Sequence, residues 1–188
     1  MTTDSKRVPL VLISGLVGVG KTSVGFEVSD LLCKQGVAHT FIDLDQLRYT
    51  YPRPVGDGKA LPKEDRFGGQ LGIKNLRDVW RNAVAAGSRN LMIASVIETW
   101  ADVEAIRQVV PGADVVVCQL RARVETLAAR VRQREKGKGL DWHLRRSAEL
   151  AEILAGEAVP VDFEVWMDEM GMGAIGQKNG SYICWETS

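Results

Sequence analysis

Eight residues near the start of the chain, Gly15-Leu16-Val17-Gly18-Val19-Gly20-Lys21-Thr22, set three glycines, a lysine and a hydroxyl in an order suited to holding polyphosphate. Wrapping a phosphate in backbone N–H groups requires residues without Cβ obstruction, which glycine supplies. A lysine closing such a loop reaches the β- and γ-phosphates of a nucleoside triphosphate, and the hydroxyl after it ligates Mg²⁺. The residues expected to contact the nucleoside triphosphate are therefore Gly15, Gly18, Val19, Gly20, Lys21, Thr22 and Ser23, with Thr22 also on the metal.

A second constellation follows in Phe41-Ile42-Asp43-Leu44-Asp45-Gln46-Leu47-Arg48. Residues two apart on a strand point the same way, so Asp43 and Asp45 are expected to share one space. One carboxylate can hold Mg²⁺ through its water shell, and the other can orient and deprotonate an acceptor hydroxyl. Arg48 could grip an anionic group on that acceptor. The plain reading is a pair of solvated acids at a strand end. Coupled to the glycine loop, the pair reads as the acceptor side of a transfer site.

Positioning these groups requires alternating strands and helices. Val8 to Ile13 is a short apolar run with the look of a buried strand, and Val24, Val28, Leu31 and Leu32 recur at helical spacing until Gly36. His39 to Asp43 is a second strand. Residues 49–73 are rich in Pro and Gly and read as a long substrate-binding loop. Leu76, Val79, Trp80, Ala83 and Val84 trace a helix ending at Gly87. Leu91 to Ile97 is a third strand, and Thr99-x-x-Asp102 opens a helix as a capping box. Ala113 to Leu120 is a fourth strand. A helix through Val124, Leu127, Ala128 and Val131 runs to a Lys-Gly-Lys-Gly break at 136–139, after which Asp141 is expected to cap a further helix. Asp162 to Met167 is a fifth strand. The tail 171–188 loses the pattern, apart from a candidate edge strand at 181–185. The expected architecture is α/β: one three-layer domain over residues 1–188, with about five mostly parallel strands and helices on both faces.

Composition agrees with that class. The chain has 188 residues, 45% hydrophobic and 26% charged, with zero formal net charge, which argues against bulk nucleic-acid binding. No apolar run is long enough to span a membrane. Lys6-Arg7 before an apolar stretch resembles a signal-peptide start, but that reading leaves the glycine spacing unexplained. Cys33, Cys118 and Cys184 fit no zinc or redox spacing; two sit in apolar segments, giving an expectation of buried free thiols in a reducing cytoplasm. Charge is unevenly spread: residues 121–146 carry nine Lys/Arg against three acids, while 149–169 carry seven acids and no Lys or Arg. A basic lid over a triphosphate, or two solvated helix faces, would account for this.

The loop form Gly15-x-x-Gly18-x-Gly20-Lys21-Thr22 and the Phe-x-Asp-x-Asp segment resemble the small P-loop kinases, among them shikimate, gluconate and adenylylsulfate kinases. The resemblance implies that Asp43 serves Mg²⁺ and Asp45 contacts the acceptor hydroxyl. It implies an arginine-bearing lid within 121–140, with Arg130 on the nucleotide and Arg134 stabilising charge on the transferred group. Asp65-Arg66, ahead of Asn75-Leu76-Arg77, loosely echoes an acceptor-gripping stretch, which nominates Arg66. Catalysis would rest on Lys21, Asp45 and Arg134. The third strand lacks the acidic ending of a motor ATPase, with Ser95 and Glu98 standing there, and the chain departs from the group just after it, where Val96-Ile97-Glu98-Thr99 replaces the adenylylsulfate kinase segment, and in its tail, where the usual last helix is not recognisable. The function implied is a cytoplasmic kinase moving the γ-phosphoryl group of ATP to a hydroxyl of a small metabolite, an adenylylsulfate-, sugar-acid- or antibiotic-like acceptor, acting as monomer or homodimer. The alternative is a nucleotide-dependent ATPase or switch working through a partner protein.

Overall fold

The computed structural model describes residues 7–49, 69–134, 149–152 and 161–168. Five strands, β1 (Val8–Gly15), β2 (His39–Asp43), β3 (Asn90–Ala94), β4 (Ala113–Arg121) and β5 (Phe163–Trp166), pair in the order β2-β3-β1-β4-β5, every neighbour parallel. Between them lie α1 (Lys21–Lys34), α2 (Gly69–Ala85), α3 (Trp100–Val109) and α4 (Val124–Arg134).

Parallel strands covered on both sides bury both of their faces, which is why β1 and β3 read as unbroken apolar runs. Val11, Ile13, Met92, Cys118 and Leu120 form one face, under Val24, Val28 and Leu32 of α1 and Leu127 of α4. Leu10, Leu12, Leu91, Ile93 and Val117 form the other, against Leu76 and Trp80 of α2 and Val103 and Ile106 of α3. The chain thus leaves β1 towards one face and β3 towards the other. That divergence opens a crevice at the carboxyl ends of these adjacent strands, where open α/β sheets bind ligands.

Several boundaries differ from the sequence expectation. Helix α2 begins at Gly69, so 69–73 is helix rather than loop. The third strand stops at Ala94. At α3 the expected capping box is present: the Asp102 carboxylate accepts the Thr99 N–H at 2.8 Å. The rest of 49–73 beyond Tyr49, the break at 136–139, the helix start at Asp141 and the tail 171–188 fall outside the described residues. Among the described residues no helix is long and apolar enough to cross a membrane.

Cys33 and Cys118 are both free, but only Cys118 is buried. Position 33 falls about 100° round α1 from buried Leu32, off the apolar stripe. Burial pushes the Cys118 thiol from 9.0 up to about 12, roughly a thousandfold smaller thiolate fraction at neutral pH. An alkylating reagent applied to the folded protein is expected to modify Cys33 and spare Cys118, read by peptide mass mapping. Because the folded thiol titrates higher than the unfolded one, its stabilising contribution is complete below the ordinary thiol range. It is lost as pH rises from there through about 12.

Candidate active site

Gly15 is the last residue of β1 and lies in register with Leu120 of β4. Its φ is +139°, and a Cβ there would stand 2.5 Å from the Leu120 carbonyl oxygen. Gly18 and Gly20 also take positive φ, 82° and 107°, and Gly20 is the residue from which α1 starts. The loop is pinned from beneath by Val19, fully buried in the α1-side core. Its N–H donates back to the Leu16 carbonyl at 3.3 Å, closing the turn. The result is a glycine-rich turn at the N-terminus of a 14-residue helix, where backbone amides and the helix dipole favour an anion.

Lys21 opens that helix, and its ammonium donates to the carbonyls of Gly15 at 2.9 Å and Leu16 at 3.1 Å. The cation therefore lies across the loop, beside the space the amides enclose. Thr22 and Ser23 are exposed in the same first turn. The Thr22 hydroxyl donates to Asp43 Oδ2 at 2.7 Å, joining the end of β1's loop to the end of β2.

Asp43 does two things. Its Oδ1 accepts the Asp45 N–H at 3.1 Å and so caps a 3-10 turn, Leu44–Arg48. Asp45 consequently sits in that turn, not on the strand, which corrects the expectation that the two acids alternate along one strand. They are nonetheless neighbours, because the cap holds them together. Asp45 pairs with Arg48 at 3.4 Å, and Arg48 Nη2 donates to Ser95 Oγ, just past β3, at 3.2 Å. Gly72 of α2 packs onto the Arg48 stem so closely that a Cβ there would stand 2.8 Å from Arg48 Cγ. Arg48 is thus clamped between β3 and α2.

Arg130 of α4 donates from Nη1 to the Val19 carbonyl at 3.2 Å, which brings a guanidinium to the rim of the glycine loop. Arg134 is the final residue of α4, one turn further on, and the position of its side chain is outside the described set, as is all of Arg66.

Sequence reasoning missed Asp168. This carboxylate, just beyond β5, accepts the Arg123 N–H at 2.6 Å, at the start of α4. Hydrogen bonds from the Thr126 side chain and the Arg123 backbone, with the Arg123 and Arg130 charges, hold it below the usual carboxylate range. An acid at a helix N-terminus satisfies an orphan donor and complements the dipole. The only signal in the sequence was an acid at a strand end; nothing there links it to residue 123. Because the folded pKa is lowered, the contribution of Asp168 is complete above the ordinary carboxylate range and is lost as pH falls below it. Asp168→Asn is expected to flatten the acid limb of the melting-temperature profile and weaken nucleotide binding a few-fold through Arg130, read by titration with a fluorescent analogue.

The donor set suits a magnesium nucleotide. Hard oxygen ligands, one hydroxyl and one carboxylate, meet beside an amide-lined anion cradle whose first glycine has no room for a Cβ. Among the described residues no group of three or more His, Cys, Asp or Glu could hold a metal ion. A cation here would complete its shell with phosphate oxygens and water, the usual habit of Mg²⁺.

Behind Arg48 lies a cavity of about 380 Å³, between the 3-10 turn, α2 and α3, with Leu44, Ile73, Ser95, Ile97 and Ile106 in its wall. It adjoins the Asp45–Arg48 pair, and its volume is that of a small-molecule site.

No family profile and no curated protein matches the sequence. Solved structures do. The tunicamycin resistance protein of Deinococcus radiodurans is 18% identical with TM-score 0.61, covering 96% of this chain and 98% of its own. A gluconokinase from Sinorhizobium meliloti is 19% identical with TM-score 0.58, covering 92% and 89%. The APS kinase of Mycobacterium tuberculosis, solved with AMPPNP and APS, is 20% identical with TM-score 0.56, covering 92% and 95%. With its glycine loop at the β1–α1 turn and its all-parallel sheet, this chain has the fold of the small P-loop kinases.

Proposed function

We propose that the protein is a cytoplasmic small-molecule kinase that moves the γ-phosphoryl group of ATP to an acceptor hydroxyl. The observation that carries this is the Thr22–Asp43–Asp45 chain of hydrogen bonds. It supports the reading because it brings a hydroxyl, a carboxylate and a second acid side by side at the mouth of the glycine loop. The fold likeness to gluconokinase and APS kinase supports it.

In this reading the amides of Gly18, Val19 and Gly20 and the Lys21 ammonium bind the β- and γ-phosphates, and Ser23 adds a hydroxyl at the helix start. Thr22 and Asp43 hold Mg²⁺, which when bound offsets phosphate charge. Asp45 accepts the acceptor's hydroxyl proton, Arg48 and Arg66 take the body of the acceptor, and Arg130 and Arg134 face the nucleotide. Phosphoryl transfer asks a protein chiefly for alignment and charge stabilisation, which this set can supply. Ser95, paired to Arg48, stands where a hydrolytic motor would present an acid after its third strand.

A coupled ADP-release assay over a panel of hydroxylated acceptors tests the proposal. At least one acceptor is expected to raise turnover well above the rate with water alone. Lys21→Ala is expected to lower that turnover by on the order of 10²-fold or more, as loss of a preorganised cation does. Steady hydrolysis indifferent to every acceptor would instead favour the switch reading.

A further inference from the structure

Val19 is fully buried, so its carbonyl needs a hydrogen-bond partner inside the protein. Among the described residues that partner is Arg130, whose Nη1–H donates to it at 3.2 Å from α4. The carbonyl of Val19 and the N–H of Gly20 belong to one planar trans peptide and point in opposite directions. Arg130 therefore fixes the Gly20 N–H on the side away from α4, and that N–H takes no partner among the described residues. It lies at the start of α1, beside the orphan amides of the first turn.

This peptide can also turn over. The reversal swaps the two groups by changing only ψ of Val19 and φ of Gly20, and glycine, here at φ 107°, takes either sign of φ at little cost. In the reversed state a carbonyl oxygen stands where the amide stood, a dipole of the wrong sign for an anion. What selects between the two states lies on α4. Thr126 and Arg130 are one helical turn apart, on the face that meets Asp168. The Thr126 side chain, the Arg123 backbone and the charges of Arg123 and Arg130 all act on that carboxylate, so Arg130 has a counter-charge at the rim of the loop. Met167, its fully buried neighbour, would stand 3.7 Å from a Cβ placed on Gly20, so the end of β5 backs the same peptide.

We propose that Arg130 is a positioning residue for the phosphate cradle: by holding the Val19 carbonyl it keeps the Gly20 N–H turned to the anion, and so sets the loop's affinity for polyphosphate from α4. This rests on the kinase reading, which gives the loop to a nucleoside triphosphate, and it gives Arg130 a task on the loop besides facing the nucleotide.

Arg130→Met keeps the aliphatic stem and leaves Leu127, which anchors α4 in the core, untouched. Calorimetry uses the magnesium complexes of inorganic tripolyphosphate, which has no base, and of AMPPNP. The variant is expected to weaken both by about tenfold or more, the worth of one hydrogen bond to a charged group. Arg130→Lys, with a donor of nearly the same reach, is expected to recover most of the loss. In the ligand-free protein, Arg130→Met is expected to move the Val19 carbonyl-carbon NMR signal upfield and to broaden the Gly20 amide as the peptide turns over. A side chain that touched only the ligand would leave both signals in place. A loss confined to AMPPNP, or Val19 and Gly20 signals identical to those of the parent chain, overturns the inference. So does unchanged affinity for both ligands, which leaves the kinase reading standing. A parent chain that binds neither ligand sinks the kinase reading itself, while the ligand-free signals still decide whether Arg130 holds the peptide.

Discussion

Asp45→Asn is expected to cut acceptor-dependent turnover by about 10²–10⁴-fold, the usual worth of a positioned general base. The nucleotide's dissociation constant is expected to stay within twofold, because Asp45 touches neither the glycine loop nor Thr22 in this geometry. What makes the experiment decisive is that the structural cost of the change is small. Asp45 is half-exposed and its ion pair with Arg48 spans 3.4 Å, so losing it is worth under about 1 kcal/mol. The cap at Asp43 uses the backbone N–H of residue 45, which asparagine keeps. A fall in kcat with unchanged urea midpoint and unchanged nucleotide affinity therefore reports chemistry. An unaltered kcat would remove Asp45 from the reaction.

Gly15→Ala is expected to destabilise the fold by about 2–4 kcal/mol and to abolish nucleotide binding, for reasons that can be separated. Part of the cost is the backbone: φ of +139° is a conformation that side chains disfavour. The larger part is the contact at 2.5 Å with the Leu120 carbonyl, a backbone atom of the paired strand that has no rotamer to escape into. Gly36→Ala is the matched control. Its φ is +72° but nothing lies within 4 Å of its missing Cβ, so strain alone remains, about 1 kcal/mol. Urea denaturation of both variants, with analogue titration, measures the difference. Equal losses for the two would mean that β1 and β4 yield at that point and that the tight register is not what fixes the loop.

The sequence exposed the glycine loop more fully than the Asp45–Arg48 turn and the cavity beside it, and the reason is local. A phosphate cradle is one contiguous turn between a strand and a helix, so its glycines, lysine and threonine are adjacent in the chain. The strands were legible because a doubly covered parallel sheet writes itself as apolar runs, as at Leu10–Ile13. Their spatial order was not legible, since β2-β3-β1-β4-β5 depends on contacts between distant segments. The start of α2 was hidden because Gly69 and Gly72 argue against a helix by propensity. Gly72 serves instead to let the helix close onto Arg48. Tertiary packing overrode local preference there. Asp45 was misplaced onto the strand for a similar reason: nothing in the residue types announced that Asp43 would cap a turn with its own carboxylate. Asp168 and the Arg48–Ser95 bond join residues 45 and 47 positions apart, beyond the reach of any periodicity argument.

The two oxygens of Asp43 reach in different directions, one to Thr22 and one to the turn that begins at Leu44. A single side chain is therefore the seam between the glycine loop and the turn that leads to the cavity, the two halves to which the proposed reading gives the nucleotide and its acceptor. Among the described residues, everything that lines the cavity lies on the far side of that seam, on the turn, α2 and the segment from Ser95 into α3. Such an arrangement lends itself to grafting. The segment from Leu44 to the start of β3, together with Ser95–Ile106, can be exchanged for one that shapes a different cavity, with the glycine loop left intact so long as Asp43 keeps both of its bonds. If the proposed reading holds, a chimera built at that junction would inherit its appetite for nucleotide from one parent and its choice of acceptor from the other.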